Sequence, residues 1–489
     1  MSKYLKLFET TSQYNEYITS IDVVLPNVSV AKDAPSTVYF NPLPHDYSED
    51  YLTLTALGDG EITITIPAAV NATYATYLSY SKDKSNWTPT TIDSTKQTIS
   101  IPVSSGEDVY LKGEAKQWCT IYYNLQINSN CDIIASGNTM SLLYGDDFKG
   151  KTVFPVGSEY TFMRLFMDNS HLINAENLVL PTTILTPYCY QHMFQGCTSL
   201  TTAPELPATT LATYCYRNMF YGCTLLITAP ALPATTLTEN CYDSMFQDCT
   251  SLTTAPTLPA TTLATYCYRN MFYGCTLLIT APALPATALA NYCYQNMFSG
   301  CTSLTTAPEL PATTLAQYCY NRMFQGCTSL TTAPELPATT LAQYCYDSMF
   351  QDCTALTKGP TILQATALAN YCYQNMFYSC TSLTTAPELP ATTLAPYCYS
   401  QMFYGCTSLT TAPELPATTL AQYCYYEMFY GCSKLNSITM LATDISARNC
   451  LSDWVRGVSS TGTFIKSPLK KSISTGNSGI PKGWTVIDK

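Results

Sequence analysis

The chain has 489 residues, more than one compact core holds, so it should divide into parts. Charged residues make up only 12% of it and the net charge is −11, which argues against a nucleic-acid partner, because phosphate binding needs clustered Lys and Arg. Its 3 His form no spacing motif and no run of 18 apolar residues occurs, so neither a metal site of HExxH type nor membrane insertion is expected.

Residues 1–48 read as an extended arm punctuated by Pro and Asp, ending in VSVAKDAPSTVYFNPLPHDY, and suited to attachment. The opening MSKYLKLFETTSQYNEY has no apolar core of a secretory signal, so export by that route is not expected. From 49 the pattern changes to short alternating runs: YLTLTAL, EITITIPA after Asp59-Gly60, ATYLSYS, QTISIPV and DVYLKG. These predict strands joined by turns, hence a small all-β sandwich with its connector over 49–158, with Trp87 and Trp118 as candidate core anchors. CTIYYNLQINSNCDII adds one or two strands, and SLLYGDDFKGK reads as a loop.

A single phrase, YCYxxMFxGCTSLTTAPELPATTLA with small variations, then fills the centre of the chain. Its first cysteine recurs at Cys189, Cys215, Cys241, Cys267, Cys293, Cys319 and Cys345, 26 residues apart, then after one step of 27 at Cys372, Cys398, Cys424 and Cys450. A fixed period of this size predicts a solenoid in which each coil hides its apolar side against its neighbours. In one coil Leu211, Cys215, Met219 and Cys223 stand at i, i+4, i+8 and i+12, which predicts a short helix with Thr209 or Thr210 as N-cap and Gly222 as C-cap. LTTAP follows as a short extended segment, with Pro204 and Pro207 limiting ladder hydrogen bonds. The expected fold class is thus an α/β leucine-rich-repeat solenoid of ten to eleven 26-residue coils over 159–440, preceded by the sandwich. At about 4.8 Å per coil it would make a rod roughly 50 Å long.

Residues 159–185 read as a degenerate first coil, in which Asn169 stands where a cysteine is expected and should hydrogen-bond backbone in its place. Residues 441–489, with Trp454 and Trp484, should close the far end. The cysteines, one pair per coil at i and i+8, are expected as buried free thiols, since stacked side chains point the same way rather than at each other.

The MFxGCTSL and LPATTL segments, for example Met219–Thr224 and Met323–Leu330, resemble the repeats of BspA-like leucine-rich-repeat surface proteins, a family whose members imply adhesion. The leader LKLFETTSQYNEYITSIDVVLPNVSVAKDAPSTVYFNP resembles the start of virion proteins of Bacteroidales gut phages, crAss-like phages among them. That second resemblance implies a virion component, a phage tail or head fibre, assembled in the host cytoplasm.

Some coil positions vary while their neighbours do not. The two residues after YCY, such as Arg217-Asn218, Arg269-Asn270 and Asn321-Arg322, and the Gln or Tyr two residues after Met are expected to face solvent. Arg217, Asn218, Tyr221, Arg269, Asn270, Tyr273, Arg322, Gln325, Tyr404 and Tyr430 are therefore the candidate ligand-binding strip. The same pattern also suits an uncharged outer face with no ligand. A glutamate row, Glu309 with Glu335 and Glu388 with Glu414, would stack at roughly the carboxylate spacing of a retaining glycosidase. Any repeated residue does the same, so no catalytic residue, metal or cofactor is expected.

The reading is a non-enzymatic phage appendage or decoration protein. Its N-terminal region would dock on other virion proteins, and its repeats would touch a host-surface protein or glycan. The alternatives are a bacterial cell-surface adhesin or a purely structural decoration, and a homo-oligomer is compatible with either. Residues 211–236 and 263–288 differ only at Thr236 against Ala288, which marks duplication of a two-coil block.

Overall fold

A computed structural model describes residues 45–65, 76–92, 98–113, 125–155 and 157–489. The arm to residue 44 and Trp118 lie outside the described residues. The chain forms two units, Met1–Tyr47 and Ser48–Lys489. In the first, the rings of His45 and Tyr47 meet edge-on with centroids 4.7 Å apart.

The second unit opens with eight strands: β1 (Leu52–Ala56), β2 (Gly60–Thr65), β3 (Thr76–Ser81), β4 (Thr88–Ile92), β5 (Thr98–Val103), β6 (Asp108–Gly113), β7 (Gln126–Ser129) and β8 (Ile133–Asn138). A single helical turn, α1 (Ser141–Tyr144), and a 3-10 turn (Gly145–Phe148) occupy the stretch expected as a loop. β8, β1, β6, β3 and β4 pair in that order in one antiparallel sheet, and β5, β2 and β7 form a second. Alternate residues are buried, as in β6 (Val109, Leu111) and β5 (Ile99, Ile101, Val103), which gives each sheet one apolar face. Trp87 is half-buried rather than a core anchor: its ring lies edge-on to Tyr51, and the Lys112 ammonium sits 4.2 Å from its centroid.

β8 also begins the repeats. Its other edge pairs parallel with β9 (Leu172–Asn174) and β10 (Leu178–Val179) of the degenerate coil. From there each coil bonds to the next in register, as in the parallel bridges Thr228 to Thr254, Thr254 to Thr280 and Thr280 to Thr306. These bridges stay short because Pro230, Pro256 and Pro282, two residues past each Thr, lack the N–H donor that a longer ladder needs.

The helix expected in each coil is absent: the described repeats contain no helix. Leu211–Cys223 is instead a ribbon of consecutive turns. Cys215, Arg217, Met219, Tyr221 and Cys223 donate their N–H three residues back within the coil, at 3.1–3.3 Å. The residues between them, Tyr214, Tyr216, Asn218, Phe220 and Gly222, donate to Glu239, Cys241, Asp243, Met245 and Gln247 of the next coil, at 2.8–3.1 Å. Every amide from Tyr214 to Cys223 thus has a partner, half of them in the neighbouring coil. Every fourth residue takes left-handed φ: Tyr214 (60°), Asn218 (55°) and Gly222 (71°). Each lies at the third position of a turn, the type II geometry that favours Gly or Asn. Thr210, expected as an N-cap, instead bridges to Ile184, and Gly222 serves a turn rather than a helix end.

The constant residues point inward. Cys215, Tyr216, Met219, Phe220, Cys223 and Leu226 are at most 1% exposed, and so are their equivalents in the Cys241 and Cys267 coils. Phe rings stack coil on coil from Phe166 to Phe429, with centroids 5.3–5.8 Å apart and nearly parallel planes. A buried Tyr stack runs beside them to Tyr425, and Trp454 closes both stacks. The Trp454 indole N–H donates to Gly479 and that of Trp484 to Ser459, which pins the end of the chain. There β11 (Ser437–Met440), β12 (Thr463–Lys466) and β13 (Thr485–Asp488) pair in parallel.

The second cysteine of each coil has a defined task. Cys223 Sγ donates to Phe194 O and Cys249 Sγ to Phe220 O, both at 3.1 Å, reaching back one coil. Asn169 does the same at the start of the repeats, its Nδ2 donating to Ile127 O at 3.2 Å, so Asn and Cys are interchangeable there as donors to a carbonyl of the preceding layer. All the described cysteines are free and buried. Burial pushes the Cys189 and Cys241 thiols up to about 12, so they are uncharged at neutral pH.

Candidate functional site

The edge of the turn ribbon carries the variable residues. Stacking brings the same position of successive coils together, and this decides what they do. In the column that contains Arg217, the Asp243 side chain is 1% exposed and lies between two arginines. Arg217 Nε donates to it at 3.0 Å from one side, while Arg269 donates through Nε at 2.9 Å and Nη2 at 2.8 Å from the other. The carboxylate raises the Arg269 pKa further. Farther along the column, Gln295 Nε2 donates to Asn321 Oδ1 and Asn321 Nδ2 to Asp347 Oδ2, at 2.9 and 2.8 Å. Burial raises the Asp347 carboxyl to about 6. The adjoining column is linked alike: Asn270 Nδ2 donates to Ser244 Oγ, and Asn296 Nδ2 to Asn270 Oδ1.

These contacts correct the expectation that the variable pairs face solvent. Arg217, Asn218, Arg269 and Asn270 are half-buried, and Asp243, Ser244, Asp347 and Ser348 are buried. Charge is tolerated because opposite or hydrogen-bonding partners arrive from the next coil. Of the remaining candidates, Arg322 and Tyr273 are exposed, while Tyr221 and Gln325 are half-buried. Burial and a hydrogen bond to Asp248 raise the Tyr221 pKa. Tyr404 stacks between Tyr378 and Tyr430, at 4.6 and 4.7 Å, and the Arg456 guanidinium lies 5.4 Å from the Tyr430 centroid.

The most regular feature of this edge is one the sequence reading passed over. The first Tyr of YCY forms its own stack, Tyr266, Tyr292, Tyr318, Tyr344, Tyr371, Tyr397 and Tyr423, with centroids 4.4–4.7 Å apart. Tyr160, Tyr188 and Tyr214 form a shorter stack, and Asn240 interrupts the two. The rings are half-buried, unlike the fully buried second Tyr. Arg217 and Arg269 lie against Tyr214 and Tyr266, at 5.5 and 4.4 Å from the centroids. The signal was the constancy of a residue whose left-handed φ turns it outward.

On the proline side two open grooves appear. One of about 600 Å³ is lined by Pro204, Glu205, Pro207 and Pro230, the other of about 430 Å³ by Pro387, Glu388, Pro413 and Glu414. Of the glutamate row, two members are engaged by neighbours: Glu335 accepts from Thr361 N and Oγ1, and Glu414 pairs with Lys489. Among the described residues no group of three His, Cys, Asp or Glu could hold a metal ion, and no helix is long and apolar enough to cross a membrane.

This geometry defines a stacked-repeat protein with an aromatic and amide edge. The family model for the BspA type leucine-rich repeat region matches residues 170–305, 265–410 and 361–451, together more than half of the chain. The chain therefore belongs to the BspA-type leucine-rich-repeat family. No curated protein and no solved structure matches it.

Proposed function

We propose that the chain is a non-enzymatic attachment protein of a phage virion, in which the coils form a solenoidal rod that presents its Tyr edge to a host-surface protein or glycan. The observation that carries the attachment reading is the seven-ring stack from Tyr266 to Tyr423. It offers a continuous, uncharged aromatic strip at low entropic cost, suited to stacking on sugars or apolar side chains. Membership of a family of surface repeat proteins supports display. The leader resemblance supports the virion, with residues 1–48 and the β-sheets docking on other virion proteins. Weak contact at each coil would gain avidity from many copies per particle. The engagement of Glu335 and Glu414 by neighbouring side chains supports a role without catalysis.

Two measurements test this. Purified protein should bind host cells, and replacing Tyr292, Tyr318 and Tyr344 with Ser should reduce that binding at least tenfold while leaving the far-ultraviolet circular dichroism unchanged; undiminished binding removes the edge from the account. Gold-labelled antibody against the repeats should decorate phage particles. Label on bacterial envelopes instead would move the protein to the adhesin alternative, and release of reducing sugar that Glu309→Gln abolishes would make it an enzyme.

A further inference from the structure

The strand-like segment after the second cysteine turns alternate residues outward, and in most coils those residues are Ser and Thr. The Cys215 and Cys267 coils depart from this. Leu225, Ile227, Leu277 and Ile279 are 49%, 51%, 50% and 53% exposed, whereas Leu226 and Leu278 between them are fully buried. The Cys241 coil separates the two aliphatic pairs with Ser251 and Thr253. Neighbouring backbones are joined here, Thr253 N donating to Ile227 O and Thr305 N to Ile279 O, so the face is held by the ladder and is not a loose loop. Large aliphatic groups grouped in this way on an otherwise polar face mark an interaction surface.

We propose that this face binds a second copy of the chain, the two stacks running antiparallel, with Leu225 and Ile227 of each copy meeting Leu277 and Ile279 of the other. The symmetry of the residues argues for this occupant. In a two-fold interface residue i touches j and j touches i, so the patch must match itself on either side of the axis. A two-fold lying in the face and passing through the Cys241 coil carries the Cys215 coil onto the Cys267 coil. Those coils bear the same aliphatic pair at the same height, about 10 Å apart at strand spacing. Charge argues the same way. The chain carries a net charge of −11, so two copies repel at most approaches. From Thr224 to Thr228, Thr250 to Thr254 and Thr276 to Thr280 this face has no charged residue at all.

The test replaces Leu225 and Leu277 with Ser, and Ile227 and Ile279 with Thr. Most other coils carry these residues at the same places, so the stack should persist. Sedimentation equilibrium of the full chain across 1–100 μM should show a concentration-dependent dimer for the natural sequence and a monomer for the fourfold variant. Equal masses for the two proteins would overturn the proposal. So would a natural chain that stays monomeric while the variant loses binding to host cells, since the face would then serve another occupant.

Discussion

Replacing Phe298 with Leu gives the sharpest account of how coils hold one another. Its ring is fully buried, with centroids 5.7 Å from both Phe272 and Phe324. Leucine forfeits two ring-on-ring contacts, each about 0.5–1.5 kcal/mol, and leaves a small void costing about 1 kcal/mol. The single variant should therefore lose about 2–4 kcal/mol, and so should Phe324→Leu or Phe377→Leu, whose rings have equivalent neighbours. Combined with Phe298→Leu, the change at Phe324 removes three contacts rather than four, because the contact between the two rings is shared. That double variant should fall short of the sum by about 0.5–1.5 kcal/mol. Phe377 shares no neighbour with Phe298, so that pair should add to within about 0.5 kcal/mol. Urea unfolding followed by near- and far-ultraviolet circular dichroism measures the natural chain and all five variants. Equal coupling in the two cycles would refute nearest-neighbour stacking.

Three further outcomes follow from buried polar groups. Burial raises the Cys189 and Cys241 thiols to about 12, against about 9 for a free thiol, and holds the Tyr216 hydroxyl well above its ordinary value. The folded chain binds more protons than the unfolded one in that window, so stability should be intact below pH 9 and fall from there toward pH 12, as an alkaline titration of the circular dichroism would record. Asp243→Ala strands two arginines whose side chains are 34% and 27% exposed, so water offsets part of the loss, and about 1–3 kcal/mol should go. Adding Arg217→Gln and Arg269→Gln, the residue type at Gln295, should restore most of it in the same urea assay; a triple variant no better than Asp243→Ala would contradict the pairing. Among the described residues the buried Tyr216 hydroxyl meets no hydrogen-bond partner, so Tyr216→Phe should stabilise by about 1 kcal/mol, and a comparable loss in thermal unfolding would reveal a partner for it.

The period of 26, the buried Cys, Met, Phe and Leu, and the place of Asn169 were legible because each repeats where its neighbours can confirm it. The helix was misread for a physical reason. Leu211, Cys215, Met219 and Cys223 are spaced by four, and on a helix of about 3.6 residues per turn a strict four drifts about 120° over that span. A four-residue period matches instead a ribbon in which every fourth residue is left-handed. The variable pairs were misplaced because the partner that neutralises Asp243 lies 26 residues away in either direction, out of reach of local pattern. β4 was missed because TPTTI carries a proline and one apolar residue, and α1 because four residues set no period. That β8 belongs at once to the first sheet and to the repeat ladder depends on tertiary pairing alone.

The most direct test of stacking is solution scattering that compares a chain carrying Leu225→Ser, Ile227→Thr, Leu277→Ser and Ile279→Thr, expected to be monomeric, with the same chain lacking Leu211–Thr262, a block of two whole coils. Its ends are equivalent positions, since the segments that begin at Leu211 and Leu263 match for 25 residues, up to Thr236 against Ala288. The deletion should fold, keep a cooperative transition, and shorten the maximum dimension by about 10 Å. An unchanged dimension, or a chain that scatters as a coil, would contradict the account.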